Sequence, residues 1–188
     1  MKQIRVLVCG TYGAGKSTLI KHLQTLRGSI IHVPASSLIL QALGRNDQSY
    51  FTTRDTKQAF VDQERLADHY QDICQVYHRA TVIFDGHHTV RCNEGEMLIP
   101  SDTFAPMNFD LVVYVNTYSD VIIQQRLDDT TKTRPEQSVE ELDAERYELM
   151  RSASDLADEL GIPFLSICER TMERRARVLN EYLRHFNA

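Results

Sequence analysis

Gly10-Thr11-Tyr12-Gly13-Ala14-Gly15-Lys16-Ser17-Thr18 decides the reading of this chain. The stretch follows the apolar run Ile4, Val6, Leu7, Val8 and Cys9, and it precedes Leu19, Ile20, Leu23 and Leu26, which recur at helical spacing. Glycine, four residues, then Gly-Lys-Ser, set between a predicted strand and a predicted helix, is the context that makes such a pattern a phosphate-binding loop. Its glycines permit backbone conformations that a side chain forbids, so successive N–H groups can turn inward on an anion. The helix N-terminus adds partial positive charge. Gly10 through Thr18 are therefore assigned to nucleotide binding. Lys16 would reach the β- and γ-phosphates of a nucleoside triphosphate, and the Ser17 hydroxyl would hold a Mg²⁺ ion that keeps several of its own waters.

After this loop and its helix, Ser29 to Val33 reads as a short buried strand closed by Pro34. Ser36 or Ser37 then caps a helix over Leu38 to Leu43, ended by Gly44. Arg45 to Thr53 is polar and aperiodic, a loop or a loop with one helical turn. Leu66, Tyr70, Ile73 and Tyr77 predict a long amphipathic helix over Asp55 to Arg79. Thr81 to Gly86 and Phe109 to Asn116 read as central strands of a parallel sheet. Between them, His87 to Met107 contains Pro100 and Pro106 and reads as irregular, with a short helix and a mobile loop. Ser119 or Asp120 caps a helix through Leu127, and Ser138 with Glu141 forms a capping box for another. That helix carries the apolar stripe Leu149, Ala153, Leu156 and Leu160, while Met172, Ala176, Leu179 and Leu183 mark the last helix, beyond a strand at Pro163 to Ile167. Asp128 to Pro135 has no apolar anchor and is a candidate lid, about 128–137. The alternation of strand and helix predicts an α/β fold: a three-layer P-loop sandwich with a five-stranded parallel sheet and helices on both faces. Ligand is expected at the carboxyl ends of the strands, within a single domain spanning 1–188.

A chain of 188 residues with 42% hydrophobic composition can bury one substantial core. The formal net charge of −5 lacks the basic excess that holds proteins on nucleic acid or anionic membranes. No run approaches the roughly 18 apolar residues of a membrane span, and Met-Lys-Gln-Ile leads into a strand instead of a signal peptide, so a cytoplasmic location is expected. Cys9, Cys74, Cys92 and Cys168 show no paired short spacing of the zinc or redox kind and read as reduced thiols.

Asp85 ends a strand expected beside the first one, so its carboxylate would emerge near the loop and join Ser17 at the metal. The plainer reading is an acid capping the turn before Gly86. His87 and His88 diverge on an extended segment, so only one of them can face the site; His87 is assigned to the acceptor. Phosphoryl transfer depends on positioning and on charge placed on the moving group, which makes cleft arginines informative. Arg126, Lys132 and Arg134 surround the candidate lid, Arg151 lies on the helix leaving it, and Arg91 follows Asp85. Arg45, Arg54 and Arg65 follow the second strand. Taken alone, each also reads as a solvated surface charge. The candidates for acceptor binding are Ser36, Arg54, His87, Arg91 and Arg151, with the segment of about 34–79 closing over that ligand.

Together these stretches resemble the nucleoside monophosphate kinases, and more closely the archaeal-type adenylate kinases. The resemblance rests on the loop, on Asp85-Gly86-His87-His88-Thr89-Val90-Arg91, on Asp110 through Val115, and on Arg126-Leu127-Asp128-Asp129 with Lys132 and Arg134. It implies ATP and Mg²⁺ as cofactors, AMP as acceptor, and Lys16, Asp85, Arg126 and Arg134 as catalytic groups. It also implies that Arg126, Glu169 and Arg170 touch the nucleotide, the last two beside the adenine, and it allows a homo-oligomer, since such kinases commonly form trimers. The Pro usual at the third loop position of that family is Tyr12 here. Other acceptors of the same class are another nucleotide or a small hydroxylated metabolite. A different class is an ATPase switch with no acceptor; a GTPase is disfavoured, because Asn116-Thr117-Tyr118-Ser119-Asp120 lacks the guanine-reading pattern.

Overall fold

The computed structural model describes residues 2–47, 49–93, 95–128 and 137–186, with the side chains of Thr52 and Arg91 outside that description. The elements run β1 (Ile4–Cys9), α1 (Lys16–Leu26), β2 (Ile30–Pro34), α2 (Ala35–Ala42), α3 (Tyr50–Thr53), α4 (Thr56–Val76) and β3 (Thr81–Asp85). They continue with β4 (Thr89–Cys92), β5 (Gly95–Leu98), α5 (Ser101–Phe104), a 3-10 turn (Ala105–Met107) and β6 (Leu111–Val115). The chain closes with α6 (Ser119–Asp128), α7 (Val139–Leu160), β7 (Phe164–Ile167) and α8 (Met172–His185).

Five strands form one parallel sheet in the order β2-β3-β1-β6-β7. Strand residues alternate between the two faces, which divides the core. Val6, Val8, Ile83 and Val113 pack with Leu19, Ile20 and Leu23 of α1 and Leu179 and Leu183 of α8. On the other face Leu7, Val82, Phe84, Val112 and Tyr114 pack with Leu66 and Tyr70 of α4 and Ala153 and Leu156 of α7. Each buried Val, Leu, Ile or Phe side chain among them contributes roughly 1.5–3 kcal/mol over its exposed state. This is the expected three-layer architecture. It brings the carboxyl ends of β1 and β3 side by side, with Val8 opposite Asp85. Among the described residues no helix is long and apolar enough to cross a membrane.

The caps follow local chemistry. Asp55 accepts the Gln58 N–H at 2.7 Å to start α4. Ser138 and Glu141 exchange bonds of 3.1 and 2.8 Å as the expected capping box, and Gly161 ends α7 in the left-handed region at φ 67°. Ser36 and Ser37, in contrast, do not cap α2. Pro34, at φ −72° and ψ 116°, leads straight from β2 into a helix that starts at Ala35, so both serines sit in its first turn. Ser119 likewise opens α6 instead of preceding it, and its hydroxyl donates to Asp143 of α7 at 2.7 Å.

The span from His87 to Met107 is more regular than its sequence suggests. It contains the antiparallel β4–β5 hairpin, the short helix α5 and the 3-10 turn. Strands of four residues are too short to display a period, and Val90 and Cys92 supply the only buried apolar side chains of β4. The candidate lid, with Lys132 and Arg134, lies outside the described residues.

Candidate phosphate-binding site

The loop between β1 and α1 takes a course that glycine makes possible. Gly10 and Gly15 have φ of 151° and 83°, and a Cβ on Gly10 would stand 2.9 Å from the Val115 carbonyl oxygen. Gly15 is the N-cap of α1 and provides no side-chain cap, so the first N–H groups of that helix stay open to an anion. The loop carbonyls are anchored from behind. Ala14 O accepts from Thr117 Oγ1 at 2.7 Å and from Arg175 Nη1 at 3.3 Å. Thr11, fully buried, shares a 3.1 Å hydrogen bond with the Tyr114 hydroxyl, which ties it to β6.

Lys16 Nζ donates to Gly10 O at 3.2 Å and lies 3.2 Å from His87 Nε2. An ammonium has no acceptor capacity, so Nε2 accepts and the ring proton sits on Nδ1. The Tyr12 ring stacks on His87 at a centroid distance of 3.9 Å, and Arg126 donates from Nε and Nη2 to Tyr12 O at 3.0 and 2.9 Å. The expected nucleotide residues Tyr12, Lys16 and Arg126 are thus brought together, with His87 among them.

Below this group, Ser17 Oγ donates to Asp85 Oδ2 at 2.6 Å, and His32 Nε2 reaches the same oxygen at 3.0 Å. Burial opposes ionisation of Asp85. The His32 hydrogen bond, the Lys16 charge and the Ser17 hydrogen bond outweigh it and hold the carboxyl below its usual range. His32 comes from β2, where the register sets Pro34 opposite Asp85 and His32 opposite Ile83. One hydroxyl beside one carboxylate fits Mg²⁺, which takes phosphate oxygens and waters for the rest of its octahedron. Among the described residues no cluster of three or more His, Cys, Asp or Glu could hold a metal by itself, so a protein-only zinc cage is not built here.

The remaining candidates scatter. Thr18 is exposed on the first turn of α1, and Ser36 is exposed at the carboxyl end of β2. Arg170 stacks its guanidinium 4.6 Å over the Tyr118 ring, and Glu169 O accepts Arg175 Nε at 2.5 Å, so the segment after β7 borders the support of the loop. Arg54, expected at the acceptor, is buried against Asp62 in the structure. Its Nη1 donates to Asp62 Oδ2 at 2.6 Å, both side chains are almost wholly buried, and Tyr50 OH and Gln58 Nε2 complete the carboxylate at 2.8 and 2.9 Å. Arg91 lies on β4 with its side chain outside the description. Arg151 projects from α7 into a cleft of about 270 Å³ whose wall includes His88, Ile99, Pro100, Asp155 and Glu159. His88 is buried, and burial and the Lys16 charge push its pKa down to about 4, against a smaller opposing pull from the Leu149 backbone. His88 was weighed beside His87 and not assigned a role, whereas His32, Arg175 and Arg146 were not singled out by sequence. Arg146 is held by Asn116 Oδ1 at 2.6 Å and Ser119 Oγ at 3.1 Å where β6 meets the loop.

No curated protein sequence matches the chain. Among solved structures, shikimate kinase from Acinetobacter baumannii in complex with shikimate is similar at TM-score 0.59 and 18% identity, over 97% of this chain and 94% of that one. Shikimate kinase from Bacteroides thetaiotaomicron gives 0.57 and 14%, over 96% and 98%. Deoxyadenosine kinase from M. mycoides with dCMP and dCDP bound gives 0.54 and 15%, over 97% and 100%. Likeness at this identity establishes the shared P-loop kinase fold. A family profile described as AAA domain matches residues 9–143, the span that carries the loop, Asp85 and Arg126. The chain belongs to this AAA domain family.

Proposed function

We propose that the protein is an ATP- and Mg²⁺-dependent phosphotransferase acting on a small-molecule acceptor. The observation that carries this reading is the 2.6 Å Ser17–Asp85 pair lying directly beside Lys16, His87 and the uncapped start of α1. Ser17 and Asp85 would hold Mg²⁺, which would supply positive charge against the phosphates. Lys16 would leave Gly10 O and His87 for the β- and γ-phosphates, and Arg126, at the mouth of the loop, would face the transferring group together with Arg134. The acceptor oxygen forms a bond to the γ-phosphorus as the bond from that phosphorus to the β–γ bridging oxygen breaks. ADP departs, and a hydroxyl acceptor loses its proton to solvent.

The resemblance to adenylate kinases points to AMP. A specific observation favours the second acceptor class, a small hydroxylated metabolite. A monophosphate acceptor needs a cationic clamp on its phosphate, and Arg54, the best placed arginine of the segment after β2, is committed to buried Asp62. Arg45 lies over the Tyr50 ring at 4.7 Å. The structural relatives are named as kinases of shikimate and of deoxyadenosine, neither a nucleoside monophosphate. Coupled ADP release with ATP and Mg²⁺ tests the proposal against AMP, CMP and hydroxylated metabolites. Acceptor-stimulated turnover is expected. Hydrolysis that no acceptor stimulates would instead assign an ATPase switch.

A further inference from the structure

The cleft between the β4–β5 hairpin, α5 and α7 has no part in holding the phosphate loop, yet it is built like a ligand site. Its volume is about 270 Å³. Ile99 and Leu156 give it a buried apolar wall, while Arg151, Asp155 and Glu159 recur at i, i+4 and i+8 on α7 and line one side with charge. Arg151 is exposed and makes no ion pair or hydrogen bond with any described residue. At the inner end stands His88, only 3% exposed; the Leu149 backbone acts weakly on the ring, but neither ring nitrogen meets a described residue in full hydrogen-bond geometry. A buried imidazole with two unpaired nitrogens is costly, and groups left so in a native fold call for an explanation. A ligand that hydrogen-bonds the ring would supply one.

The position of the cleft connects it to the transfer centre. His88 follows His87, and successive Cα atoms stand about 3.8 Å apart. His87 Nε2 is itself 3.2 Å from Lys16 Nζ. The two rings diverge, yet the Lys16 charge also acts on the buried His88 ring, so a molecule lodged against His88 has its near end toward the lysine that would hold the γ-phosphate. A volume of about 270 Å³ is room for a small ligand. The charges select further. A guanidinium grips a planar anion with two parallel bonds, and the two carboxylates accept from hydroxyl or amino groups.

Resting on the phosphotransferase reading, we propose that this cleft is the acceptor site, and that the acceptor is a small hydroxylated carboxylic acid whose carboxylate is held by Arg151. The hydroxyl to be phosphorylated lies at the His88 end, and further hydroxyl or amino groups face Asp155 and Glu159. This places the acceptor on the α7 side of β3, away from the 34–79 segment that the sequence favoured.

The chain contains no Trp, so Leu98→Trp, at a rim position 59% exposed, installs a single fluorophore at the mouth of the cleft. Coupled ADP release is measured with ATP and Mg²⁺ against shikimate, quinate, glycerate and homoserine, with myo-inositol and ribose as uncharged controls and AMP and CMP as the nucleotide arm. At least one hydroxy acid should stimulate turnover and shift the emission of Leu98→Trp saturably. Arg151→Ala should raise KM for that acid by 10-fold or more with kcat and the ATP Kd changed less than twofold, and Arg151→Lys should restore part of the loss. Stimulation by AMP or CMP with KM unchanged in Arg151→Ala overturns the cleft while the phosphotransferase reading stands. So does a stimulating acid or uncharged polyol whose KM is indifferent to Arg151. Acceptor-independent hydrolysis across the whole panel overturns both.

Discussion

Asp62→Ala separates a packing role for Arg54 from an acceptor role. The substitution removes a carboxylate whose side chain is fully buried and which accepts from Arg54 Nη1 at 2.6 Å, Tyr50 OH at 2.8 Å and Gln58 Nε2 at 2.9 Å. What remains is a guanidinium 3% exposed that has lost this carboxylate, plus a buried phenol without this acceptor. Removing one partner of a buried pair costs about 3–5 kcal/mol, chiefly because the other charge is left uncompensated. Domains of this size are stable by only about 5–15 kcal/mol, so the variant should sit near the edge of folding. With a urea slope of roughly 2 kcal/mol per molar, the midpoint should fall by about 1.5–2.5 M at unchanged slope. Circular dichroism through a urea titration measures it. Arg54→Met with Asp62→Leu replaces the pair by apolar groups and should return most of the stability, since such exchanges are often neutral. That double variant should also keep acceptor KM. A midpoint shift below about 0.5 M in Asp62→Ala, or a double variant that folds well but loses acceptor binding, would refute the packing assignment and return Arg54 to the site.

Lys16→Ala should abolish transfer and weaken ATP binding by calorimetry, because the loop loses its point charge on the β- and γ-phosphates, whereas Asp85→Asn should retain nucleotide and need more Mg²⁺ for half-maximal rate. Arg126→Ala should reduce turnover by roughly 10² while ATP Kd changes little, the pattern of a lost transition-state donor; wild-type kcat would leave it as a strut on Tyr12 alone. His88 gives the stability a pH dependence. Its pKa in the fold is pushed down from 6.5 to about 4, so the unfolded chain binds the proton more tightly. The contribution is complete above about pH 6.5 and is lost as pH falls through about 4, a swing of roughly 3 kcal/mol that His88→Phe should flatten in unfolding titrations. Cys9, Cys74 and Cys92 are buried and Cys168 is exposed, so a thiol reagent should label one cysteine in the fold and four after denaturation.

The phosphate loop and Asp85 were legible because their signals are local. Glycine spacing, an apolar run before and a helical stripe after need no knowledge of tertiary structure. The sheet followed from the same alternation. Arg175 and His32 were not legible, because each acts across a distance that only packing sets. Arg175 reaches Ala14 from α8 and comes from the charged run Glu173-Arg174-Arg175, where nothing distinguishes the one arginine that turns inward. His32 meets Asp85 only through the β2–β3 register, and a slip of one residue would send it to the other face. The pairing of Arg54 with Asp62 was not legible for the same reason. Its partner lies eight positions on, across the break between α3 and α4, so no helical i+4 rule pairs them. The β4–β5 hairpin was missed for a different reason: its two short strands carry too few apolar residues for alternation to show.

Binding a polyphosphate requires the loop to turn its N–H groups inward, which leaves its carbonyls in need of donors elsewhere. The fold supplies them one by one. Gly10 O takes Lys16 Nζ, Thr11 O takes the Ala14 N–H at 3.0 Å, Tyr12 O takes two bonds from Arg126, and Ala14 O takes Thr117 and Arg175. Two of those donors are guanidinium groups, so the bonds that fix the backbone also bring positive charge to the place where phosphate would sit. They reach it from different parts of the chain. Arg175 joins the loop to Glu169 O, in the segment expected to meet the base. Arg126 joins Tyr12 to Gln137 at 2.6 Å, and Gln137 continues to Glu145 of α7 at 2.6 Å. Residues 126 and 137 bracket the segment assigned to the lid. The segment after β7, the loop between β1 and α1, and Gln137 are therefore joined through two arginines, and Tyr12 extends that group to His87 by stacking on it.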